Sequence, residues 1–165
     1  MEKIILAGGC FWGVQAYYDQ LKGVLRTSVG YIDGNMRHPT YEIVCSEVSG
    51  HAEACEIVYD ETIITLETIL EHFLRFVNPF SINRQGNDFG RQYRSGIYYH
   101  TEGEKDHIIN YLKTTFKDDY DRVRIQVKEA KDYDLAEERH QKYLEKNPYG
   151  YCHVDLNLAK ASERK

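Results

Sequence analysis

The stretch "KIILAGGCFWG" (residues 3–13) decides how the chain folds, because a short apolar run is followed there by paired glycines, a cysteine and the only tryptophan. The run 3–6 predicts a buried strand, and the glycines predict the turn that ends it. A helix is predicted from about residue 13 to residue 22, with Gly23 as its C-terminal stop. Cys10 is therefore expected at the N-terminus of a helix.

Further periodic segments extend this beginning to an α+β fold. Alternating patterns predict strands at "VLRTSVGY" (24–31), "CEIVYD" (55–60) and "SGIYY" (95–99). Apolar residues at helical spacing predict a helix from Thr65 until Pro79. The resulting order, β-α-β-β-α-β, is the split βαβ order of a ferredoxin-like sheet. We therefore expect a two-layer α+β sandwich with a ferredoxin-like core.

The remainder of the chain adds short elements and two long loops. A capping-box pattern at 101–104 predicts a further helix, and alternation at 122–129 predicts a further strand. A last helix is predicted from residue 134 to about residue 145, followed by a C-terminal coil. The aperiodic stretches 32–53 and 78–94 are long and rich in aromatic residues, so we expect ordered, functional loops.

Composition limits the class of protein. The chain has 165 residues, 42% of them hydrophobic and 28% charged, which suits one globular domain. We expect that domain to cover 1–157, with 158–165 as a polar, linker-like tail. No apolar run is long enough for a bilayer or a signal peptide, and a net charge of −5 with scattered basic residues gives no nucleic-acid footprint. The expectation is a cytoplasmic monomer that binds neither membrane nor nucleic acid.

Four cysteines occur, at positions Cys10, Cys45, Cys55 and Cys152. In a reducing cytoplasm we expect free thiols at rest. The cysteines form no Cys-x-x-Cys pair and lack the close spacing of zinc ligands, so we expect no metal site. Cys152 lies in "NPYGYCH" (147–153), where a mobile tail would let its thiol reach another site. A surface cysteine of no consequence is the alternative.

Cys10 has the surroundings of a reactive thiol. A cysteine is nucleophilic only as the thiolate, and a helix N-terminus favours that anion. The flanking glycines allow close approach of a substrate, and Phe11 and Trp12 could form an apolar wall for a group such as a methyl. An inert buried cysteine among core aromatics is the alternative for this stretch taken alone.

Two further segments carry polar candidates. Glu53 lies where an irregular segment enters a strand, although an ordinary exposed glutamate would also fit there. The loop "QGNDFGRQYRSG" (85–96) gathers Asp88, Tyr93 and Arg94 just before a strand, a composition that offers hydrogen bonds to a polar ligand. The seven histidines show no metal-ligand spacing and are interpreted as structural or solvent-facing.

Six motifs in chain order carry a resemblance that extends from Ile4 to about Cys152. They are "GGCFWG", "GYIDG", "PTYEIVC", "GHAEA", "QGNDFGRQYRSGIYY" and "AEERHQKYLEKNPYGYC". The series resembles the peptide methionine sulfoxide reductase A family, and the two-layer α+β fold of that family agrees with the order of strands and helices given above.

The resemblance implies a role for each matching residue. Cys10 matches the catalytic cysteine, and Phe11 and Trp12 match the pocket for the methyl group of the substrate. Glu53 matches the carboxyl group that acts on the sulfoxide oxygen, and Cys152 matches the resolving cysteine. The polar neighbours of that carboxyl group are matched by Tyr31, Asp88 and Tyr93.

The implied reaction is thiol-dependent reduction of methionine sulfoxide, as the S epimer and free or in proteins, to methionine. Attack by Cys10 leaves a sulfenic acid, and Cys152 condenses with it to a disulfide that thioredoxin or another dithiol reopens. Glu53 would donate a proton if burial keeps it protonated. The expected partners are thioredoxin and oxidised methionine, with no metal or organic cofactor.

Departures from the family pattern are few. Asp33 replaces a glycine of the usual Gly-Tyr-x-Gly-Gly, and Glu47 and Ser49 stand where Gly and Thr are common. Arg139 takes a usually aromatic position. We expect these changes to alter loop contacts more than chemistry. Two other classes compete with the reductase: a thiol peroxidase, and a non-enzymatic binding module that would tolerate loss of the thiol.

Overall fold

A six-stranded mixed sheet organises the protein, and the computed structural model describes residues 1–165. In chain order the strands are β1 (Glu2–Gly8), β2 (Val24–Ile32), β3 (Ala52–Tyr59), β4 (Arg84–Gln85), β5 (Asp88–Phe89), β6 (Ser95–Tyr99), β7 (Gln126–Glu129) and β8 (Asp134–Leu135). The sheet order is β7-β6-β1-β3-β2-β8, and β4 and β5 form a separate two-stranded ribbon. All pairs are antiparallel except the parallel pair of β6 and β7.

Helices connect these strands. They are α1 (Phe11–Asp19), α2 (Tyr41–Cys45), α3 (Leu66–Phe76), α4 (Glu102–Phe116) and α5 (Tyr143–Lys146). Short 3-10 turns span Arg91–Tyr93, Lys117–Arg122, Glu138–His140, Leu156–Leu158 and Ala161–Glu163. A mixed α+β architecture is therefore confirmed. None of these helices combines the length and apolar character that crossing a bilayer requires.

The apolar run of β1 is continuous because both faces of this strand are buried. Ile4 and Leu6 belong to the main core, which lies under α1, α3 and α4, whereas Ile5 and Ala7 belong to a smaller cluster on the opposite face. Successive side chains of a strand point to opposite faces, so a doubly covered strand needs apolar residues throughout. Cys55 is fully buried in the main core, as its place in a strand predicts.

The last predicted helix is wrong. Residues 134–145 form β8, a 3-10 turn and the four-residue α5 instead. The carboxylate that was expected to cap the helix, Asp134, accepts hydrogen bonds from Arg37 and His38, while its backbone pairs with β2. Glu137 likewise binds distant partners, Tyr31 and Tyr41. Tertiary contacts therefore use the groups on which the local helix signal depended.

The two long aperiodic stretches contain regular pieces: α2 in the first, and β4 and β5 in the second. The polar tail also has partners. Arg75 on α3 makes a paired contact with Glu163, with N–O distances of 2.8 and 2.9 Å, and the backbone N–H of Lys22 donates to the carbonyl oxygen of Glu163. Residues 158–165 thus lie against the domain, and a domain boundary at residue 157 stays a prediction.

Candidate active site

Cys10 occupies the N-cap of α1 and is 6% exposed. The backbone N–H groups of Trp12 and Gly13 stabilise its anion, which is the effect predicted for a helix N-terminus. Burial, with the nearby carboxyl of Glu53, outweighs them and raises the pKa of the Cys10 thiol well above its ordinary value. In the resting structure Cys10 is therefore a neutral thiol.

Glu53 lies beside the start of α1 because of its position on β3. It is two residues before Cys55, hence on the face of β3 that carries the main core, and its register partner on β2 is Tyr31. Oε1 of Glu53 accepts the backbone N–H of Phe11 at 3.1 Å. The side chain of Cys10 makes no capping bond, so this carboxyl group satisfies one of the free N–H groups of α1.

The other oxygen of Glu53, Oε2, is buried and has no hydrogen-bond partner. Burial, assisted by the nearby Asp88, raises the pKa of Glu53 to about 8 against the lowering effect of the Phe11 N–H. Because the carboxyl is mostly protonated at neutral pH, its Oε2 can donate a hydrogen bond, and no protein group already accepts from it. The burial on which its predicted acid role depends is present.

Asp88 and Tyr93 come from the second long loop. Oδ1 of Asp88 accepts from Tyr151 Oη at 2.9 Å, and Oδ2 of Asp88 is buried without a hydrogen bond, 3.7 Å from His153 Nδ1. Tyr93 is half-buried, and burial, together with the neighbouring acidic groups of Glu53, Cys10 and Asp88, raises the pKa of its phenol. The loop therefore brings both residues to the site of the cysteine and the glutamate.

Tyr31 is fully buried, and its ring centroid is 5.7 Å from that of Phe11. Its hydroxyl donates to Oε1 of Glu137 at 2.7 Å, while the backbone N–H of Tyr41 donates to Oε2 of the same carboxylate at 2.9 Å. Burial alone would raise the pKa of Glu137, but these two donors outweigh it and lower the pKa. Glu137 is thus an ionised partner of Tyr31 that sequence reasoning missed, because its local pattern indicated a helix cap.

The aromatic wall is built around Trp12. The indole stacks on Tyr143, with ring centroids 3.8 Å apart and an interplanar angle of 13°, and its Nε1 donates to His140 Nδ1 at 3.0 Å. The His140 ring also packs against Phe11 and Tyr41 at centroid distances of 5.4 and 4.4 Å. Sequence reasoning assigned no role to His140, Tyr143 or Tyr41, although the first two lie in the quoted C-terminal motif.

Cys152 lies against the first turn of α1. A methyl group at Gly13 would be only 3.2 Å from Cys152 Sγ, so the missing side chain leaves room for this thiol three residues from Cys10. Sγ donates to the carbonyl oxygen of Val154 at 3.1 Å, and His153 Nε2 donates to that of Gly8 at 2.8 Å. Burial raises the pKa of Cys152.

The structure therefore brings the predicted site residues to one end of α1, with the Tyr31 hydroxyl held by Glu137. Cys45 is exposed at the end of α2, and all four cysteines are free thiols. No group of three His, Cys, Asp or Glu side chains is placed to hold a metal ion.

Comparisons with known proteins identify the family of this chain. A family model for peptide methionine sulfoxide reductase matches residues 2–165. The peptide methionine sulfoxide reductase MsrA of Alkaliphilus metalliredigens is 48% identical over 158 residues, covering 96% of this chain and 100% of the relative. The MsrA of Ureaplasma urealyticum serovar 10 is 46% identical over 160 residues, covering 97% of each chain.

Solved structures give the same result. Methionine sulfoxide reductase A of Corynebacterium diphtheriae superposes with a TM-score of 0.84 at 32% identity, covering 92% of this chain and 77% of the other. Reduced Mxr1 from Saccharomyces cerevisiae superposes with a TM-score of 0.82 at 31% identity, covering 92% and 88%. Mxr1 in complex with Trx2 has a TM-score of 0.57 at 21% identity, covering 86% and 84%, and shares the fold. The resemblance seen in the motifs is confirmed, and the chain belongs to the peptide methionine sulfoxide reductase family.

Proposed function

We propose that this protein reduces methionine sulfoxide to methionine with Cys10 as nucleophile and Glu53 as acid. One observation carries the proposal: a carboxyl group with a pKa of about 8 keeps an unpartnered oxygen beside the buried cysteine. A sulfoxide sulfur is a weak electrophile until its oxygen accepts a proton or a strong hydrogen bond. A protonated Glu53 supplies that proton, as carboxylic acids in apolar sites do in other enzymes.

In the first step the Cys10 sulfur attacks the sulfoxide sulfur while the oxygen takes the proton of Glu53. The transient bond between the two sulfurs then breaks as the protonated oxygen moves from the substrate sulfur to the Cys10 sulfur. The sulfur–oxygen bond of the substrate is thereby exchanged for one on Cys10, methionine leaves, and Cys10 is left as a sulfenic acid. The Cys10 sulfur loses two electrons and the substrate sulfur gains them. The proton of the thiol restores Glu53, so the atoms balance without another reactant.

Phe11 and Trp12 form the wall that receives the methyl group of the substrate. The support for this role is the rigidity of Trp12, which is stacked on Tyr143 and hydrogen-bonded to His140. Tyr31, Tyr93 and Asp88 bind or orient the oxygen. The roles of Tyr93 and Asp88 are supported by their closeness to Glu53. The Tyr31 hydroxyl donates to Glu137, so Tyr31 either turns this hydroxyl toward the sulfoxide oxygen or acts on it through Glu137.

In the second step Cys152 attacks the sulfenic acid, water leaves, and a Cys10–Cys152 disulfide forms. The contact of Cys152 with Gly13 supports this assignment, because it places the second thiol at the same turn of α1. A dithiol then returns two electrons. We propose thioredoxin for that role, which the Mxr1–Trx2 complex of yeast supports by analogy. The cycle as proposed needs no metal or organic cofactor.

We propose the S epimer as substrate, a cytoplasmic monomer, and a catalytic domain over residues 1–157. A two-layer ferredoxin-like core is supported by the order of four strands in the sheet, β6-β1-β3-β2, with α1 and α3 as the crossover helices.

A coupled assay with thioredoxin and the separated epimers of methionine sulfoxide tests the proposal. The signal is oxidation of the NADPH that keeps thioredoxin reduced. This oxidation should require thioredoxin and should occur with only one of the two epimers. Hydrogen peroxide serves as the comparison substrate, because a thiol peroxidase would turn it over faster than either sulfoxide. Turnover of peroxide with neither epimer reduced would overturn the reductase function.

A further inference from the structure

Arg94 lies at the junction of three chain segments, and its side chain is 11% exposed. Nη1 donates to the carbonyl oxygens of Gly50 and Arg91, both at 2.9 Å. Nη2 donates to the carbonyl oxygen of Asp33 at 3.0 Å and to its carboxylate Oδ2 at 3.1 Å. One guanidinium group therefore makes four hydrogen bonds that join the end of β2, the loop before β3 and the turn at 91–93.

Each of these three segments carries one polar residue of the site. Tyr31 lies two residues before Asp33, and Glu53 lies three residues after Gly50. Tyr93 is the residue directly before Arg94. Such a fork can fix three backbone segments at once, because its five N–H donors lie in one rigid plane.

We propose that Arg94 is a positioning residue for sulfoxide reduction, which sets the mutual placement of Tyr31, Glu53 and Tyr93. It acts through these residues and touches no reacting atom. The inference rests on the proposed function, since that function assigns the three side chains to the sulfoxide oxygen.

Asp33 adds a carboxylate to this arrangement. Its φ of 62° lies in the left-handed region that favours glycine. The carboxylate accepts from Arg94, from Lys128 Nζ at 2.9 Å and from Tyr98 Oη at 3.4 Å. Burial alone would raise its pKa, but the bonds from Lys128 and Arg94 outweigh it and lower the pKa. An ionised Asp33 thus holds the guanidinium in place despite the strained backbone.

The test is the single-turnover rate of Arg94→Lys at varied sulfoxide concentration. Lysine keeps the charge next to Asp33 but cannot bridge three segments, so the maximal rate should fall by about 10- to 100-fold. The half-saturating concentration should change by less than about threefold, because Phe11 and Trp12 still bind the methyl group. A general loss of stability would lower the fraction of active enzyme, and hence the amount of methionine released per enzyme, whereas a positioning role predicts a lower rate constant at the wild-type amplitude.

Two control variants accompany it. Lys128→Gln removes the other cation that contacts Asp33 but leaves the three segments linked by Arg94. Arg75→Lys removes a guanidinium that is similarly buried, at 18% exposed, and that pairs with Glu163 of the C-terminal tail. Both should keep the wild-type maximal rate. Equal falls in Arg94→Lys and Arg75→Lys would mean general loosening and would overturn the inference.

If Arg94→Lys does not fold, Asp33→Gly is the second variant, because it relaxes the backbone while removing only one of the four bonds. Its maximal rate should fall by about 3- to 10-fold, and an unchanged rate would overturn the inference. A wild-type chain that reduces no sulfoxide overturns the proposed function as well, whereas an active wild type matched by Arg94→Lys overturns this inference alone.

Discussion

Replacing Glu53 with glutamine separates the acid role of this residue from its structural role. The side chain is 1% exposed; one oxygen accepts the Phe11 N–H at 3.1 Å, and the other has no partner. Glutamine has nearly the same shape, and its Oε1 can keep the bond to Phe11. It has no proton to give, so Glu53→Gln removes the acid while leaving the N-terminus of α1 satisfied.

The size of the kinetic effect follows from the pKa. With a pKa of about 8, about 90% of the Glu53 carboxyl groups are protonated at pH 7, whereas the ordinary value of 4.5 would leave about 0.3%. Burial therefore increases the acid form about 300-fold. General acid catalysis is worth about 10² to 10⁴ in rate, so single-turnover reduction by Glu53→Gln should be at least about 100-fold slower at pH 7.

The same pKa predicts an opposite effect on stability. Because the folded-state pKa of Glu53 is raised, the folded protein binds this proton more tightly than the unfolded chain does. The resulting stability is fully present below pH 4.5 and is lost as the pH rises to about 8. Glutamine does not titrate. The free energy of unfolding of Glu53→Gln relative to wild type should therefore rise by about 4 kcal/mol between pH 5 and pH 8.5.

Quenched single turnovers, with methionine as the measured product, and urea unfolding at both pH values test the two effects on the same samples. Glu56→Gln, on the same strand but the opposite face, is the matched control and should change neither. A single-turnover rate within a few-fold of wild type would exclude Glu53 as the acid. A stability difference that is the same at pH 5 and pH 8.5 would refute the raised pKa.

Three further predictions concern the thiols and the tryptophan. Cys10→Ser should abolish turnover with an unchanged melting temperature, because a hydroxyl is a far weaker nucleophile than a thiolate; substantial residual activity would transfer the role to another cysteine. The emission of Trp12 should change when sulfoxide oxidises the reduced protein, and a constant spectrum would place the indole away from the reacting thiol. Cys152→Ser should release about one methionine per enzyme, leave a sulfenic acid that a sulfenate reagent traps, and lose turnover with thioredoxin. Mass spectrometry of oxidised wild type showing Cys10 linked to Cys45 or Cys55, with Cys152 free, would contradict that assignment.

The parts of the fold that were predictable have strong local signals. The run 3–6 lies within β1, the helical spacing after Thr65 gives α3, and the alternation of 95–99 gives β6. The position of Cys10 follows from the glycines that end β1, and Glu53 follows from its motif. In these places a few neighbouring residues determine the conformation, so periodicity and turn residues suffice.

What could not be predicted depends on partners far away in the chain. Glu137 binds Tyr31 across 106 residues and His140 binds Trp12 across 128, and no local pattern encodes either pair. Two departures from the family pattern also have distant partners: Asp33 contacts Arg94, and Glu47 accepts the backbone N–H of Arg91 in the turn at 91–93. The neutral state of the Cys10 thiol could not be predicted from the sequence either, because it depends on how deeply the thiol is buried at the N-terminus of α1.

Burial keeps both the Glu53 carboxyl and the Cys10 thiol protonated, and the proposed chemistry uses both protons. It keeps the proton on Glu53, which suits an acid, and it keeps the proton on Cys10, which weakens a nucleophile. An ionised Glu53 is one of the causes that raise the pKa of the thiol, so protonation of Glu53 removes a repulsive charge from the thiolate that must form. The resting site thus holds both protons of the first step: one goes to the sulfoxide oxygen, and the other passes from the cysteine to the carboxylate just vacated. A permanently ionised thiol beside an ionised carboxylate would hold neither of these two protons. A cysteine that is neutral at rest is therefore compatible with its proposed role of accepting the sulfoxide oxygen.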